Sequence, residues 1–208
     1  MTIKKIISGP LGNNTIIVHD DKDAVVIDPS IDSFGLIDKY IVKHKLIVKA
    51  IFLTHSHFDH IADVAILKQK TKANIYIHPE DADNLINPGV DKISCMFPVK
   101  GSNPDVLIHD NQEIIIGNLK FIVIYTPGHS PGSVCYYLPD NNTLFAGDTL
   151  FKGSIGNISF PTSRPALMWG SLKKLAKLPK NTKVIPGHGE DTSIGKESWL
   201  DRAEEFFS

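Results

Sequence analysis

Short apolar segments, each bounded by turn-forming residues, follow one another along most of the chain and predict a protein rich in β-strands. Three early segments separated by Gly-Pro, Gly-Asn-Asn and Asp-Lys-Asp clusters predict an N-terminal meander. Longer stretches with apolar residues at helical spacing predict helices between and after the strands. The predicted strands cover residues 4–7, 15–19, 24–27, 48–53, 75–77, 112–116, 120–125, 134–138, 143–145 and 183–185. The predicted helices run from an N-cap at Asp32 to about residue 44, over 61–70, briefly after Pro79, over 165–178 and over 196–207.

The strands fall into two groups, and helices close each group. This order predicts an α+β fold in which one sheet packs on another and helices cover the outside. Residues 87–105 and 150–163 lack a period and are predicted loops. No internal repeat or linker interrupts the chain, so we expect a single domain over residues 1–208. A chain of this size can bury about 70% of its surface without staples, so we expect any bound metal to serve chemistry.

Charge and composition exclude several classes of function. The chain has 22 basic and 23 acidic residues and no basic run, which argues against nucleic acid and anionic membranes as partners. No apolar segment approaches the length of a membrane span. The first residues lack the apolar stretch of a secretory signal, and only Cys95 and Cys135 are present. We therefore expect a cytoplasmic protein with reduced thiols.

The sequence His55-Ser-His57-Phe-Asp59-His60 directly follows the predicted strand 48–53. Three histidines and an aspartate at these offsets arise by chance in roughly one such chain in a thousand. Neutral imidazoles together with a carboxylate are the donors that zinc and iron(II) select, which predicts a metal site. An alternative interpretation makes Asp59 the N-cap of the next helix and the histidines ordinary loop residues. Asp59 can also be both cap and ligand.

Three further turns repeat one layout, in which a strand leads into a glycine-containing turn that carries a histidine or aspartate. Glycine lets the backbone approach closely, so such turns can press one side chain against an ion. Each turn alone is weak support for a metal site. Together with the first motif they supply five histidines and two aspartates, enough for two ions that share a carboxylate. The three turns present His129 after residues 125–128, Asp148 after residues 145–147 and His188 after residues 184–187.

Over nearly its whole length, and in the same order, the chain resembles the metallo-β-lactamase superfamily. The resemblance implies an αββα sandwich with its metals at one edge of the two sheets. It also implies that Asp28, in Val-Val-Ile-Asp28-Pro, orients a ligating imidazole. An Asx turn before proline is the alternative for Asp28. The ligands that the resemblance assigns are His55, His57 and His129 for one metal, Asp59, His60 and His188 for the other, and Asp148 as the carboxylate shared by both.

Within that superfamily, residues 147–156 are similar to the corresponding segment of glyoxalase II and its short relatives. This similarity implies a thioester hydrolase that uses a hydroxide bridging two divalent metals, with zinc expected first and iron or manganese as alternatives. The implied partner is a small-molecule thioester, and Asp59 and Asp148 are the implied catalytic residues. Secreted β-lactamases fit less well, because Asp148 stands where several of them have cysteine.

Two departures affect the substrate. Asn157 occupies the position where glyoxalase II usually has a cation for the glutathione carboxylate, and the C-terminal helical domain of larger members is missing. Lys152 is a candidate replacement cation, although an exposed lysine is its simplest interpretation. Three alternatives stay open: a mononuclear iron persulfide dioxygenase, a lactonase or other hydrolase of the same fold, and a non-catalytic metal-binding domain. The sequence leaves the oligomeric state open.

Overall fold

Two mixed six-stranded sheets form the centre of the fold in the computed structural model, which describes residues 1–208. The strands are β1 (Thr2–Ser8), β2 (Asn13–Asp20), β3 (Asp23–Ile27), β4 (Ile47–Phe52), β5 (Asn74–Ile77), β6 (Val106–Leu107), β7 (Glu113–Ile116), β8 (Leu119–Tyr125), β9 (Val134–Leu138), β10 (Thr143–Gly147), β11 (Leu150–Phe151), β12 (Ser154–Ile155), β13 (Lys183–Pro186) and β14 (Thr192–Ser193). The α-helices are α1 (Phe34–His44), α2 (Phe58–Ile61), α3 (Val64–Thr71), α4 (Pro79–Ile86), α5 (Pro165–Leu175) and α6 (Glu204–Phe207).

The first sheet has the order β1-β2-β3-β4-β5-β6, with an antiparallel meander at one side and parallel strands at the other. The second sheet has the order β14-β13-β10-β9-β8-β7, in which only the β10–β13 pair is parallel. Strands β11 and β12 form a separate small hairpin. The helices are too short and polar for any of them to cross a lipid bilayer.

Alternate side chains of the central strands enter two different cores. On β3, Val25 and Ile27 face the second sheet, whereas Ala24 and Val26 face helices α1, α3 and α4. Burial on both faces explains why this strand is apolar at consecutive positions. A third apolar cluster lies between the second sheet and α5 together with the C-terminal segment. The layers are therefore helix, sheet, sheet and helix, which confirms the predicted αββα sandwich and α+β class.

The predicted helix over 61–70 is wrong in detail, because α2 and α3 are separate helices. Asp32 is not the N-cap of α1 as predicted, since it adopts a left-handed conformation with φ of +62°. The carboxylate of Asp63 instead accepts a hydrogen bond from the Phe34 backbone N–H at 2.7 Å. A side chain distant in sequence thus caps the first helix, and local spacing carries no signal for such a contact.

The predicted C-terminal helix over 196–207 is also wrong, because only α6 is α-helical there. Two single 3₁₀ turns, Ile194–Lys196 and Leu200–Arg202, precede it. The buried Glu197 carboxylate explains the break, since it accepts hydrogen bonds from the Gly153 N–H at 3.0 Å and the Trp199 indole at 2.9 Å. Strands β6, β11, β12 and β14 were not predicted, because two residues are too few to show a period.

Candidate metal centre

All seven predicted ligands lie at one edge of the sandwich, where strands from both sheets end. His55 and His57 follow β4 of the first sheet, and α2 then carries Asp59 and His60. The other three residues, His129, Asp148 and His188, follow β8, β10 and β13 of the second sheet. Backbone hydrogen bonds join the two sheets at this edge, from the Val134 N–H to the Thr54 carbonyl at 2.8 Å and from the Asn14 N–H to the Gly187 carbonyl at 2.7 Å.

The seven side chains form two groups that meet at Asp148. Candidate ligand atoms of His55, His57 and His129 lie within 4.8 Å of one another, and those of Asp59, His60 and His188 do the same. Asp148 Oδ2 lies 3.5 Å from the Nε2 atoms of both His129 and His188, and Asp148 Oδ1 lies 3.4 Å from His60 Nε2. The carboxylate of Asp148 therefore stands between the groups.

Several buried polar atoms of this cluster have no hydrogen-bond partner in the protein. They are Nε2 of His55, His57 and His129 and Oδ1 of Asp148. A buried polar atom without a partner is costly, and native structures satisfy almost all of them. Inward-facing nitrogen and carboxylate oxygen donors suit zinc or iron(II), so these residues fit a metal.

In three histidines of the cluster, the ring nitrogen Nδ1 contacts a group outside the cluster. Nδ1 of His129 lies 2.8 Å from the Asn157 carbonyl, and Nδ1 of His188 lies 3.0 Å from the Leu11 carbonyl. His55 Nδ1 lies 3.1 Å from the Thr54 hydroxyl. Such contacts fix the ring orientation and leave Nε2 directed into the site.

Asp28 supplies the corresponding contact for His60. Its Oδ2 lies 3.1 Å from His60 Nδ1 and accepts a hydrogen bond from the Thr54 hydroxyl at 2.6 Å. Its Oδ1 accepts from the Thr54 N–H at 2.8 Å, and the residue is buried with φ of +47°. A non-glycine residue in this conformation is strained and is found mainly at functional sites. The carboxylate is thus directed at a predicted ligand and not at a local Asx turn.

The electrostatic environment differs between the two groups. Burial, together with the neighbouring imidazoles, lowers the pKa values of His55 and His57 well below their ordinary value. Burial also disfavours the charged form of His60, but Asp59, Asp148 and Asp28 outweigh it and raise the pKa of His60 to about 10. Burial thus favours neutral imidazoles in the first group, whereas the carboxylates around His60 favour its protonated form. Metal binding in the second group competes with that proton.

Asp59 is a member of the cluster and not a helix cap. It lies inside the first turn of α2, whose N-cap position is His57, and the N-cap position of α3 is Asp63. Its Oδ2 lies 3.3 Å from His188 Nε2 and accepts a hydrogen bond from the side-chain amide of Asn13 at 2.7 Å. The alternative interpretation of Asp59 as the cap of the next helix is therefore wrong.

Sequence reasoning missed Asn13 and Asp81, both of which hold the predicted ligands. Asp81 is buried on α4 and accepts hydrogen bonds from the Ser56 N–H at 2.8 Å, the Ser130 hydroxyl at 2.9 Å and the Gly132 N–H at 2.5 Å. It therefore ties the loop of His55 and His57 to the turn of His129. In the sequence, Asp81 looks like an ordinary acidic residue in the first turn of a helix, and Asn13 looks like part of a turn cluster.

A cleft of about 550 Å³ opens onto His57, Asp59, His129, Asp148 and His188. Asn157 also lines it, and its side-chain oxygen accepts a hydrogen bond from the Ser159 N–H at 2.8 Å. Lys152 does not line it, because its ammonium group forms an exposed ion pair with Glu190. Of the two predicted substrate-loop residues, only Asn157 therefore faces the candidate site.

Comparisons with known proteins agree with the fold and the layout of the site. The family profile described as "Metallo-beta-lactamase superfamily" matches residues 8–188. An uncharacterised protein of Aquifex aeolicus is 37% identical over 95% of this chain and 94% of its own length. Probable metallo-hydrolase YqgX of Bacillus subtilis is 32% identical over 89% of each chain. A hydroxyacylglutathione hydrolase of Francisella tularensis subsp. novicida is 32% identical over 90% of this chain and 68% of the relative.

Two solved structures are similar over almost the whole chain. BLEG-1, described as a B3 metallo-beta-lactamase, has a TM-score of 0.88 at 37% identity and covers 94% of this chain and 96% of its own. TTHA1623, described in a di-iron-bound form, has a TM-score of 0.85 at 34% identity and covers 95% and 98%. The profile match spans most of the chain, and these likenesses cover nearly all of it. The chain belongs to the metallo-β-lactamase superfamily.

Proposed function

We propose that this protein is a dinuclear metal-dependent hydrolase of activated acyl compounds, with thioesters as the preferred substrates. The observation that carries the proposal is the pair of ligand groups that meet at the Asp148 carboxylate. The related TTHA1623, described in a di-iron-bound form, supports the binding of two ions. The relatives named probable metallo-hydrolase and hydroxyacylglutathione hydrolase support a hydrolase, and the second name supports thioester substrates. Zinc, iron and manganese are all compatible with nitrogen and carboxylate donors.

His55, His57 and His129 would hold one ion, Asp59, His60 and His188 the other, and Asp148 both. When bound, two divalent ions would lower the pKa of a bound water toward roughly 7 and polarise the substrate carbonyl. Asp59 lines the cleft, where its carboxylate can take a proton from the attacking water and pass it to solvent. A thiolate leaves without prior protonation, so the site needs no second acid.

Metal content and activity, measured on the same preparation, test the proposal. Protein loaded with zinc, iron or manganese is expected to hold two ions per chain and to hydrolyse a panel of thioesters. Asp148→Asn is expected to lose at least one ion and the activity. Asp140→Asn removes an exposed carboxylate from a turn remote from the cluster and is expected to change neither. Full activity of Asp148→Asn at saturating metal would contradict the assignment.

Hydrolysis of β-lactams is a second candidate, because BLEG-1 is described as a metallo-beta-lactamase and is 37% identical to this chain. A chromogenic cephalosporin in the same panel distinguishes the two hydrolases. The persulfide dioxygenase alternative requires a single iron, for which His55, His57 and His129 are the predicted ligands. It is expected to fail, because it leaves the grouping of Asp59, His60 and His188 without a role. One tightly bound iron per chain, together with persulfide oxidation and no thioester hydrolysis, would establish it instead.

A further inference from the structure

The wall of the cleft beside the candidate metal centre is apolar and comes from four separate segments of the chain. Six of its thirteen lining residues are hydrophobic. These six are Leu11, Phe58, Ile93, Met96, Phe151 and Phe160. The volume of about 550 Å³ lies within the range of small-molecule sites, which bury most of their ligand's surface.

The two ends of this wall have different properties. Near the predicted ligands it is rigid, since the Phe160 ring packs edge-on against His57 and His129 at centroid distances of 5.2 and 5.6 Å. At the mouth it is adaptable and accessible, because Met96 is 64% and Leu11 42% exposed. Methionine adjusts readily to the shape of a bound apolar group. An apolar wall beside a few polar groups is typical of small-molecule sites.

No lysine or arginine lines the cleft. Two cations near this part of the molecule are already paired, Lys152 with Glu190 and Arg164 with Glu80. The charged groups that face the cleft, Asp59 and Asp148, belong to the predicted ligand set. A substrate carboxylate away from the reacting carbonyl would therefore meet mainly apolar side chains and no cation, which is unfavourable.

We infer that the substrate carries an apolar, uncharged segment attached to the reacting carbonyl, and that this apolar wall selects against anionic carriers such as glutathione. The inference rests on the proposed hydrolase function and adds the substrate class to it. The apolar segment is either the acyl chain or the alkyl part of the leaving thiol, and the experiment distinguishes these two sources.

The first arm measures kcat/KM for two thioester series on metal-loaded protein. One series lengthens the acyl group from acetyl to hexanoyl on a fixed thiol, and the other lengthens the alkyl thiol on a fixed acetyl group. A fully buried methylene contributes about a fourfold gain, so in the series that occupies the wall we expect at least a tenfold rise. The matching substrate with a terminal carboxylate is expected to be at least tenfold poorer than its uncharged counterpart.

The second arm places a cation on the wall. Met96→Lys is expected to raise kcat/KM for the carboxylate-bearing substrate and to lower it for the apolar one. Ile115→Lys makes the same change on β7 at a side chain of similar exposure, 66% against 64%, outside the cleft. This control is expected to leave the ratio of the two substrates unchanged. An equal change of the ratio in both variants would overturn the inference.

A third arm separates the failure of the inference from the failure of the proposed function. Calorimetry measures the affinity of aceto-, butyro- and hexanohydroxamate, which bind metal centres without turnover. Affinity that rises with chain length while no thioester is hydrolysed would support the apolar site and overturn the thioesterase proposal. Thioester hydrolysis that is independent of chain length in both series, with flat hydroxamate affinity, would overturn the apolar site and leave the hydrolase proposal standing.

Discussion

Replacement of Asp81 tests whether a buried carboxylate outside the ligand set holds the two histidine-bearing loops together. Asp81 accepts hydrogen bonds from the backbone N–H groups of Ser56 and Gly132 and from two serine hydroxyls. Gly132 is needed there, because a Cβ atom would lie 2.6 Å from Asp81 Oδ1. The two serine hydroxyls belong to Ser56 and Ser130 and can turn to other partners, as Ser130 already contacts the Ser133 hydroxyl at 2.7 Å, whereas the two backbone groups are fixed.

The expected magnitude follows from this difference. A buried donor left without an acceptor costs about 1–3 kcal/mol, so Asp81→Ala, which strands two backbone N–H groups, is expected to lower the free energy of unfolding by about 2–6 kcal/mol. Asp81→Asn keeps one acceptor oxygen and is expected to cost about 1–3 kcal/mol. A typical domain has about 5–15 kcal/mol of stability, so the asparagine variant is expected to fold.

The assay combines urea unfolding of metal-free protein with metal titration against a competing chelator. Loss of a group that supports ligands weakens metal binding by about 10–100-fold. For Asp81→Asn we expect this loss mainly for the ion held by His55, His57 and His129. Asp105→Asn is the control for a carboxylate remote from the ligand loops: Asp105 is exposed, accepts a backbone N–H from Ile75 at 2.8 Å and pairs with Lys68 at 2.6 Å. Reduced stability with unchanged metal affinity in Asp81→Asn would refute the positioning role.

Three further expectations concern the site. Asp28→Ala removes the contact of His60 Nδ1 and is expected to weaken metal binding by about 10–100-fold, measured by the same titration. Chelation of metal-loaded protein is expected to lower its stability by about 2.7 kcal/mol for each ion removed, relative to protein at a free metal concentration 100 times Kd, and unchanged unfolding curves would contradict a native metal site. Asn157→Arg is expected to raise kcat/KM for S-lactoylglutathione by about ten- to a hundredfold, mainly through KM, because a charge-assisted hydrogen bond contributes about 1.5–3 kcal/mol. The His129 contact should survive, since it uses the Asn157 backbone carbonyl, and an equal gain for a thioester without a carboxylate would exclude the proposed contact.

Helices and strands with a regular hydrophobic period were predictable from the sequence. Contacts between residues far apart in the sequence were not. Strand β9 was predicted with its bounds correct, because five consecutive residues between turn signals determine a buried strand. The break between α2 and α3 was missed, since Ile61 and Val64 keep helical spacing across it. The C-terminal helix failed for a related reason, because the buried Glu197 contacts that divide it involve a loop far away in sequence.

The same distinction applies to the site. The seven predicted ligands come together because their residue types and turn contexts carry the signal themselves. Gly187 shows why one such turn contains glycine, since a Cβ atom there would collide with Asp148 Oδ1. Asn13 and Asp81 carry no such signal, because an amide or carboxylate that holds a ligand is chemically the same as one that caps a turn. Their roles become visible only when the positions of the loops that they contact are known.

The distribution of the seven residues over both sheets has a consequence for the order of folding. Four of them lie within the six residues from His55 to His60, so an unfolded chain already carries a weak local chelator. The remaining three arrive only when the second sheet has formed and docked, after a long loop has closed. We therefore expect high metal affinity to be acquired late, so that the time course of metal uptake during refolding reports when the two sheets dock. We expect excess metal that is present from the start to bind residues 55–60 first. That metal must then exchange its ligands before all seven predicted residues can bind.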